Sequence, residues 1–372
     1  MDLTNLITEL SKGFASFTWG NAVMILVGLI LIFLAIVKEY EPVLLLPIGF
    51  GCLMANLCMS NQVGFMKVIY DAGISTELFP LLIFIGVGAM IDFSPLLSQP
   101  SMVLLGAAGQ FGIYGTLLLA LALGFPLNQA ASIGVIGAID GPTAIFVGTK
   151  LAPEIVAPIA VAAYSYMSLI PIIQPPIMKL MTTRRERLIR MEYSPKPVSR
   201  LTLIIFPILV TLLVALVAPD AAPLMAALML GNLLREALVV ERLSKMVQNE
   251  LINIATLFLG LAIGSTMTAE SFLNWTTLAI LGLGLLAFVI DTVAGLLFGK
   301  LMAVITHGKV NPLIGACGIS AFPMAGRLSA KMALEEDPSN FILMHAMGSN
   351  TAGQLGSVIA GGILLALVTG IP

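Results

Sequence analysis

Residues 137–145 read GAIDGPTAI, and residues 318–326 read GISAFPMAG. Each stretch interrupts an apolar run, 128–149 in the first case and 309–330 in the second. Proline removes a backbone donor and disfavours helix at the residue before it, so carbonyls are freed in the middle of each run. Irregular backbone at membrane depth persists only where protein or a water-filled cavity surrounds it. These runs therefore read as re-entrant hairpins, each with an apolar arm and a polar tip. Paired interrupted segments at corresponding places in two halves of a chain point to a transporter's binding site.

The rest of the chain supports a membrane setting. Of 372 residues, 58% are hydrophobic and 10% charged, where a soluble domain carries about 25% charged residues. With a mean hydropathy of +1.03, soluble enzymes and disordered tails are excluded. A net charge of −2 offers no basic patch for nucleic acid. A bilayer core of about 30 Å needs about 20 apolar residues per helix. Candidate elements are 20–37, 43–59, 79–91, 101–124, 128–149 and 157–178, then 201–217, 222–234, 251–267, 277–303, 309–330 and 351–371. The first residues carry Asp2 and Glu9 where a signal peptide wants cations. Leu3, Leu6, Ile7, Leu10 and Phe14 recur at helical spacing, which predicts an interfacial helix over 1–19. Cys52, Cys58 and Cys317 show no zinc or disulfide spacing.

The halves align at a nearly constant offset: 223 − 42 and 323 − 142 both give 181 for matched prolines. PVLLLPIGFG (42–51) pairs with PLMAALMLGN (223–232), and IFIG (83–86) with LFLG (257–260). The expected fold is an all-α polytopic membrane protein of two inverted repeats, 20–178 and 201–372, joined by a basic cytoplasmic linker at 179–200. With both hairpins re-entrant, each half crosses five times, and an odd number inverts the second half. On that topology fifteen of the 18 lysines and arginines fall inside, including those of the linker, and both termini lie outside. The tips would then meet near the midplane.

Asp140 is the sharpest feature, because a carboxylate within a membrane segment marks ion or proton pathways. Gly141, Pro142 and Thr143 add carbonyls and a hydroxyl, hard ligands for a small cation; the competing reading is a helix cap. Asn311, Gly315 and Ser320 line the arm and tip of the second hairpin, and suit Na+ or interhelical hydrogen bonding. Tyr166 is a phenol inside its span, either a proton donor or a belt residue, and Tyr164 is close enough to be confused with it. Asn350 reads as a ligand or an N-cap. Arg327 offers a guanidinium to an anionic substrate or snorkels to the surface. Asp291, followed by Gly295 and Gly299, pairs with a neighbouring helix or serves a proton path. Asp92 and Glu270 sit at segment ends, and Gly106, Gly109, Gly112 and Gly115 form a packing ridge. There is no GxxxxGK[ST] phosphate loop, no HExxH and no CxxC.

GAIDGPTAIF (137–146), AVAAYSYMSLIPIIQPPIMK (160–179), NPLIGACGISAFPMAGR (311–327) and EEDPSNFILMHAMGSNTAGQLGSV (335–358) together resemble the membrane β subunit of sodium-translocating, biotin-dependent decarboxylases. That family serves oxaloacetate, methylmalonyl-CoA, glutaconyl-CoA and malonate decarboxylases, and the likeness runs from about residue 20. It implies decarboxylation of carboxybiotin on a carrier subunit, coupled to Na+ export and proton consumption across the bacterial cytoplasmic membrane. It assigns Asp140 to Na+ binding and coupling, and Asn311, Gly315 and Ser320 to a second Na+ and proton site. Tyr166 and Asn350 fall on positions tied to Na+ and proton handling, and Arg327 on one that meets carboxybiotin. The implied cofactors are Na+ and biotin. The implied partners are a cytosolic carboxyltransferase α subunit, a biotin carrier γ subunit, a small anchoring δ subunit, membrane lipid and further copies of the chain. The absence of a long amino-terminal extension leans towards an acyl-CoA system. A Na+-coupled carboxylate symporter is the alternative built on the same architecture.

Overall fold

The computed structural model describes residues 17–57, 64–192 and 197–370. The interfacial helix expected over 1–19 and Cys58 lie largely or wholly outside them. Helices and turns make up the described chain, with no strand among those residues, as the hydropathy requires. Six helices are long and apolar enough to cross a membrane, or eight if two bent pairs each count as one span. The chain is thus a multi-pass membrane protein.

Local chemistry sets most boundaries. Thr18 caps Trp19–Val37 with a reciprocal bond to Asn21, and Ser199 caps Arg200–Val217. Proline opens Pro42–Ala55 at its first position, where its missing donor costs nothing. Two spans contain π-helical turns, Asp71–Ser75 and Val247–Leu251. The first stands before a 60° bend into Leu78–Met90. The element expected over 157–178 is itself bent, with 65° between Pro153–Ser168 and Ile170–Met181. The last helix starts at Leu343, eight residues before the expected 351. Its first turns carry His345, Ser349 and Asn350, which face protein and are buried, so a hydropathy window does not register them.

Contacts divide the chain into two compact units. One joins residues before Pro80 to Ile254–Ala279. There Gly28 and Gly49 let Trp19–Val37 and Pro42–Ala55 approach backbone to backbone, and Asn56 Nδ2 donates to Met267 O at 2.7 Å. The other unit comprises 80–253 and 280–372 and contains both broken hairpins. Within it Arg200–Val217 is 6% buried over its apolar window whereas Leu343–Thr369 is 61% buried. The first lies at the unit's surface, and the second is its central post.

Candidate functional site

The first hairpin rises as Leu127–Gly134, tightens to a 3-10 turn over Val135–Ala138 and restarts as Gly141–Leu151. Between the arms Ile139 is left-handed (φ 54°) and Asp140 extended (φ −132°). A β-branched residue at positive φ is strained and persists only where its surroundings hold it. Asp140 caps the second arm, accepting from Thr143 N at 3.3 Å and from Thr143 Oγ1 at 2.8 Å. The cap is only half of its environment. From Leu343–Thr369, Gln354 Nε2 (3.1 Å) and Ser357 Oγ (2.9 Å) donate to the same Oδ2. A carboxylate 5% exposed is thus solvated by four neutral donors, and among the described residues it joins no ion pair. A buried carboxyl group satisfied by neutral donors alone is a candidate ion or proton site.

The second hairpin opens with a 3-10 segment, Pro312–Cys317, and closes with Met324–Glu336. Ser320 N donates to Ala138 O at 3.3 Å, so the two tips meet. Side chains gather the carbonyls freed around the break. Gln174 Nε2 donates to Ala316 O (2.8 Å), Gln110 Nε2 to Gly318 O (3.2 Å) and Asn350 Nδ2 to Ile319 O (2.7 Å). Ser320 Oγ donates in turn to Gly353 O at 3.2 Å. Asn350 Oδ1 remains buried without a partner, an unused hard oxygen close to the crossing. Leu343–Thr369 therefore stitches both tips together, Asn350 and Gly353 against the second and Gln354 and Ser357 against the first. Among the described residues no three His, Cys, Asp or Glu side chains converge; a single carboxylate among hydroxyls, amides and carbonyls fits a monovalent hard cation rather than zinc.

Asp140, Ser320 and Asn350 are thus brought together, and Asn350 lies inside its helix rather than at its cap, which is Ile342. The other expected residues stand elsewhere. Asn311 is at the root of the second hairpin, its Oδ1 accepting from Leu313 N at 3.0 Å and its Nδ2 spent on Arg187 O and Ile189 O. Gly315 packs against the Gly295 carbonyl and Gly299, a backbone-to-backbone approach that only glycine permits. Tyr166 donates its hydroxyl to Leu281 O at 2.6 Å. The phenol beside Asp140 is Tyr164, whose ring lies against the α-carbon of Gly141 and whose hydroxyl is buried without a partner. Arg327 is exposed near the start of Met324–Glu336, and no described ion pair engages it. Asp291 is fully buried and accepts from Gly112 N through Oδ1, so it ties its helix to a neighbour. The glycine ridge packs as expected, Gly106 on Ala352 and Gly109 on the Gly318 carbonyl. Gln354, Ser357, Gln110 and Gln174 were not singled out from the sequence. The signal for the first two was present, because Asn350, Gln354 and Ser357 recur at i, i+4 and i+7 on one helical face.

The sequence profile of the family described as the Na+-transporting oxaloacetate decarboxylase beta subunit matches residues 20–368. The chain is 53% identical over 358 residues to the methylmalonyl-CoA decarboxylase subunit beta of Veillonella parvula, covering 96% of each. It is 50% identical over 371 residues to the glutaconyl-CoA decarboxylase subunit beta of Acidaminococcus fermentans, covering 99% of this chain and 98% of that one. To the oxaloacetate decarboxylase beta chain of Klebsiella pneumoniae it is 48% identical, covering 94% and 95%.

Proposed function

The chain belongs to the β-subunit family of Na+-transporting, biotin-dependent decarboxylases, and from that premise we propose how its residues couple CO2 release to Na+ movement. As a decarboxylase β subunit it works within a multisubunit enzyme; the symporter reading is set aside by this membership. The proposed assembly has a carboxyltransferase α subunit, a biotin carrier γ subunit, a small anchoring δ subunit and further copies of the β chain, in a bacterial cytoplasmic membrane with both β termini outside. Higher identity to the methylmalonyl-CoA and glutaconyl-CoA relatives than to the Klebsiella chain favours an acyl-CoA substrate upstream.

The architecture is proposed as two inverted repeats, 20–178 and 201–372, about the linker 179–200. Support comes from recurring order: a helix pair, a span with a π turn, a long span, a hairpin with a 3-10 segment, then a closing span. The first hairpin would enter from outside and the second from the cytoplasm.

Na+ is the cargo. Asp140 supplies its charge, with hydroxyl or carbonyl oxygen from Thr143, Ser357, Ser320 and the unpartnered Asn350 Oδ1. Carboxybiotin, on its carrier, supplies a carboxylate whose C–N bond breaks, leaving the electron pair on a ureido nitrogen that takes up a proton. Arg327, exposed near the second tip and in no ion pair among the described residues, meets that carboxylate in bidentate fashion. Tyr164 beside Asp140 and Ser320 at the crossing are the hydroxyls through which a proton is relayed, with Tyr166, bonded to Leu281 O, further along the path. Cation binding drives the cycle only if one arrangement of the tips holds Na+ better than the other.

One observation carries this reading. Donors from the first hairpin and from Leu343–Thr369 converge on Asp140 in the place where the tips bond to each other. The test is decarboxylation of free carboxybiotin in proteoliposomes, with and without Na+, alongside uptake of labelled Na+. Wild type should show Na+-stimulated CO2 release with uptake, and Asp140→Asn neither. Full coupling in Asp140→Asn would remove Asp140 from the path, and Na+ flux without biotin dependence would revive the symporter.

A further inference from the structure

Asn311 and Asn340 flank the second hairpin, and both are buried, at 0% and 1% exposure. Each spends its Nδ2 on the same two carbonyls. Arg187 O accepts at 3.0 Å from both, and Ile189 O at 2.8 Å from Asn311 and 3.3 Å from Asn340. Those carbonyls belong to the basic linker, which the sequence presents as a solvated charge run.

Charged groups repeat the pattern around the amides. Arg187 Nε and Nη2 reach Glu336 Oε1 at 2.7 and 2.6 Å. Arg190 binds Asp337 Oδ2 through Nε (2.9 Å) and Nη2 (2.7 Å) and also Ser339 Oγ at 2.6 Å. Glu186, bound by the cap residue Thr183, also reaches Lys300 Nζ at 3.2 Å. Exposed ion pairs are worth little singly, whereas a buried amide that loses its acceptors is left unsatisfied at full cost.

We propose that Thr183–Arg190 is a strap across the root of the second hairpin, and that Asn311 and Asn340 are positioning residues acting on the tip through it. The first arm of this hairpin is only a six-residue 3-10 segment, a form too short and poorly bonded to fix its own direction. Its root is set instead by Asn311, which caps that segment and grips the strap, and by Asn340 beyond the second arm. What the strap fixes is where Ser320 and Arg327 sit. Asn311 thereby serves the ion site without touching the ion. The turnover part of the test rests on the function proposed above, and the proteolysis part does not.

The experiment measures tryptic cleavage at Arg184, Arg185, Arg187 and Arg190 in the detergent-solubilised complex, together with the Na+ dependence of decarboxylation. Asn340→Ala and Asn311→Ala should each speed cleavage about tenfold and lower maximal turnover, while half-saturating Na+ stays as in wild type. Unchanged protection in Asn340→Ala would overturn the strap. Intact protection with a raised Na+ requirement in Asn311→Ala would make that residue an ion ligand and overturn its positioning role. Should either variant fail to fold, Glu336→Lys sets a like charge against Arg184 and Arg187 and leaves both amides in place; faster cleavage there supports the strap, and none refutes it. If the complex has no Na+-coupled activity, the proteolysis still reports on the strap, so the two failures are distinguishable.

Discussion

A methyl group added at Gly141 tests whether the place of Asp140 is dictated by packing beneath it. A β-carbon there would lie within 3.0 Å of three ring atoms of Tyr164. The ring is 2% exposed and embedded in its unit, so it cannot swing into open space. Forcing one methyl into a filled core costs about 1–3 kcal/mol, and because Gly141 adjoins Asp140 the relief is a shift of the carboxylate away from Ser357 and Gln354. If that displacement must be reversed in the working state, Na+-stimulated decarboxylation in proteoliposomes falls roughly 5- to 150-fold. Adding Tyr164→Leu, which removes the obstructing ring, should recover much of the thermal midpoint that Gly141→Ala loses in detergent, whatever it does to the relay; Tyr164→Phe, which keeps the ring, should not. Wild-type rate and Na+ dependence in Gly141→Ala would refute the reasoning, as would equal rescue by Leu and Phe.

Ser357→Ala removes one donor from Asp140 Oδ2 and leaves no steric conflict; half-saturating Na+ measured by labelled uptake should rise about tenfold, given roughly 1.5 kcal/mol for a hydrogen bond to a charged group. Asp291→Asn retains an acceptor for Gly112 N, so its thermal midpoint should stay near wild type, whereas Asp291→Ala strands that buried donor and should lose about 1–3 kcal/mol in detergent unfolding. The strap should also respond to acid. Bonds from Ser339, then the guanidinium of Arg190, hold Asp337 down to about 2, and bonding to Arg187 lowers Glu336. With folded values below unfolded ones, the stabilisation is complete above the unfolded range of about 4 and disappears as pH falls through the folded values. Protection from hydrogen exchange in 184–190, taken relative to the intrinsic rate at each pH, should therefore hold down to about pH 4 and fall below it.

Much of this was legible because the decisive chemistry is local. A proline among small and polar residues inside an apolar run announces a break in the helix, and both breaks fell in the stretches that contain Pro142 and Pro323. Matters decided by packing across the chain were not. Tyr164 and Tyr166 are two positions apart, about 200° around a helix, and only neighbours determine which one faces Asp140. Asn311 reads as a ligand because amide oxygen suits Na+, and nothing in its own stretch announces that its Nδ2 is held by a linker more than a hundred residues earlier. The polar face of Leu343–Thr369 lowered the hydropathy of its first turns for the same reason that it matters: those residues solvate the tips rather than meeting lipid.

The single described backbone bond between the hairpins, Ser320 N to Ala138 O, has a consequence for ion leak. A neutral hydrogen bond contributes about 1 kcal/mol net, a closed-to-open ratio of only about five to one. On its own it would leave the crossing ajar a substantial share of the time, and a pump with that seam would dissipate the gradient it builds. Tightness must therefore come from carboxamides bridging sideways to a third element, Asn350 on Ile319 and Gln354 on Asp140. The insulation of the pathway is then a property of the last helix, and variants that loosen its grip should be found first as leaks and only afterwards as slow enzymes.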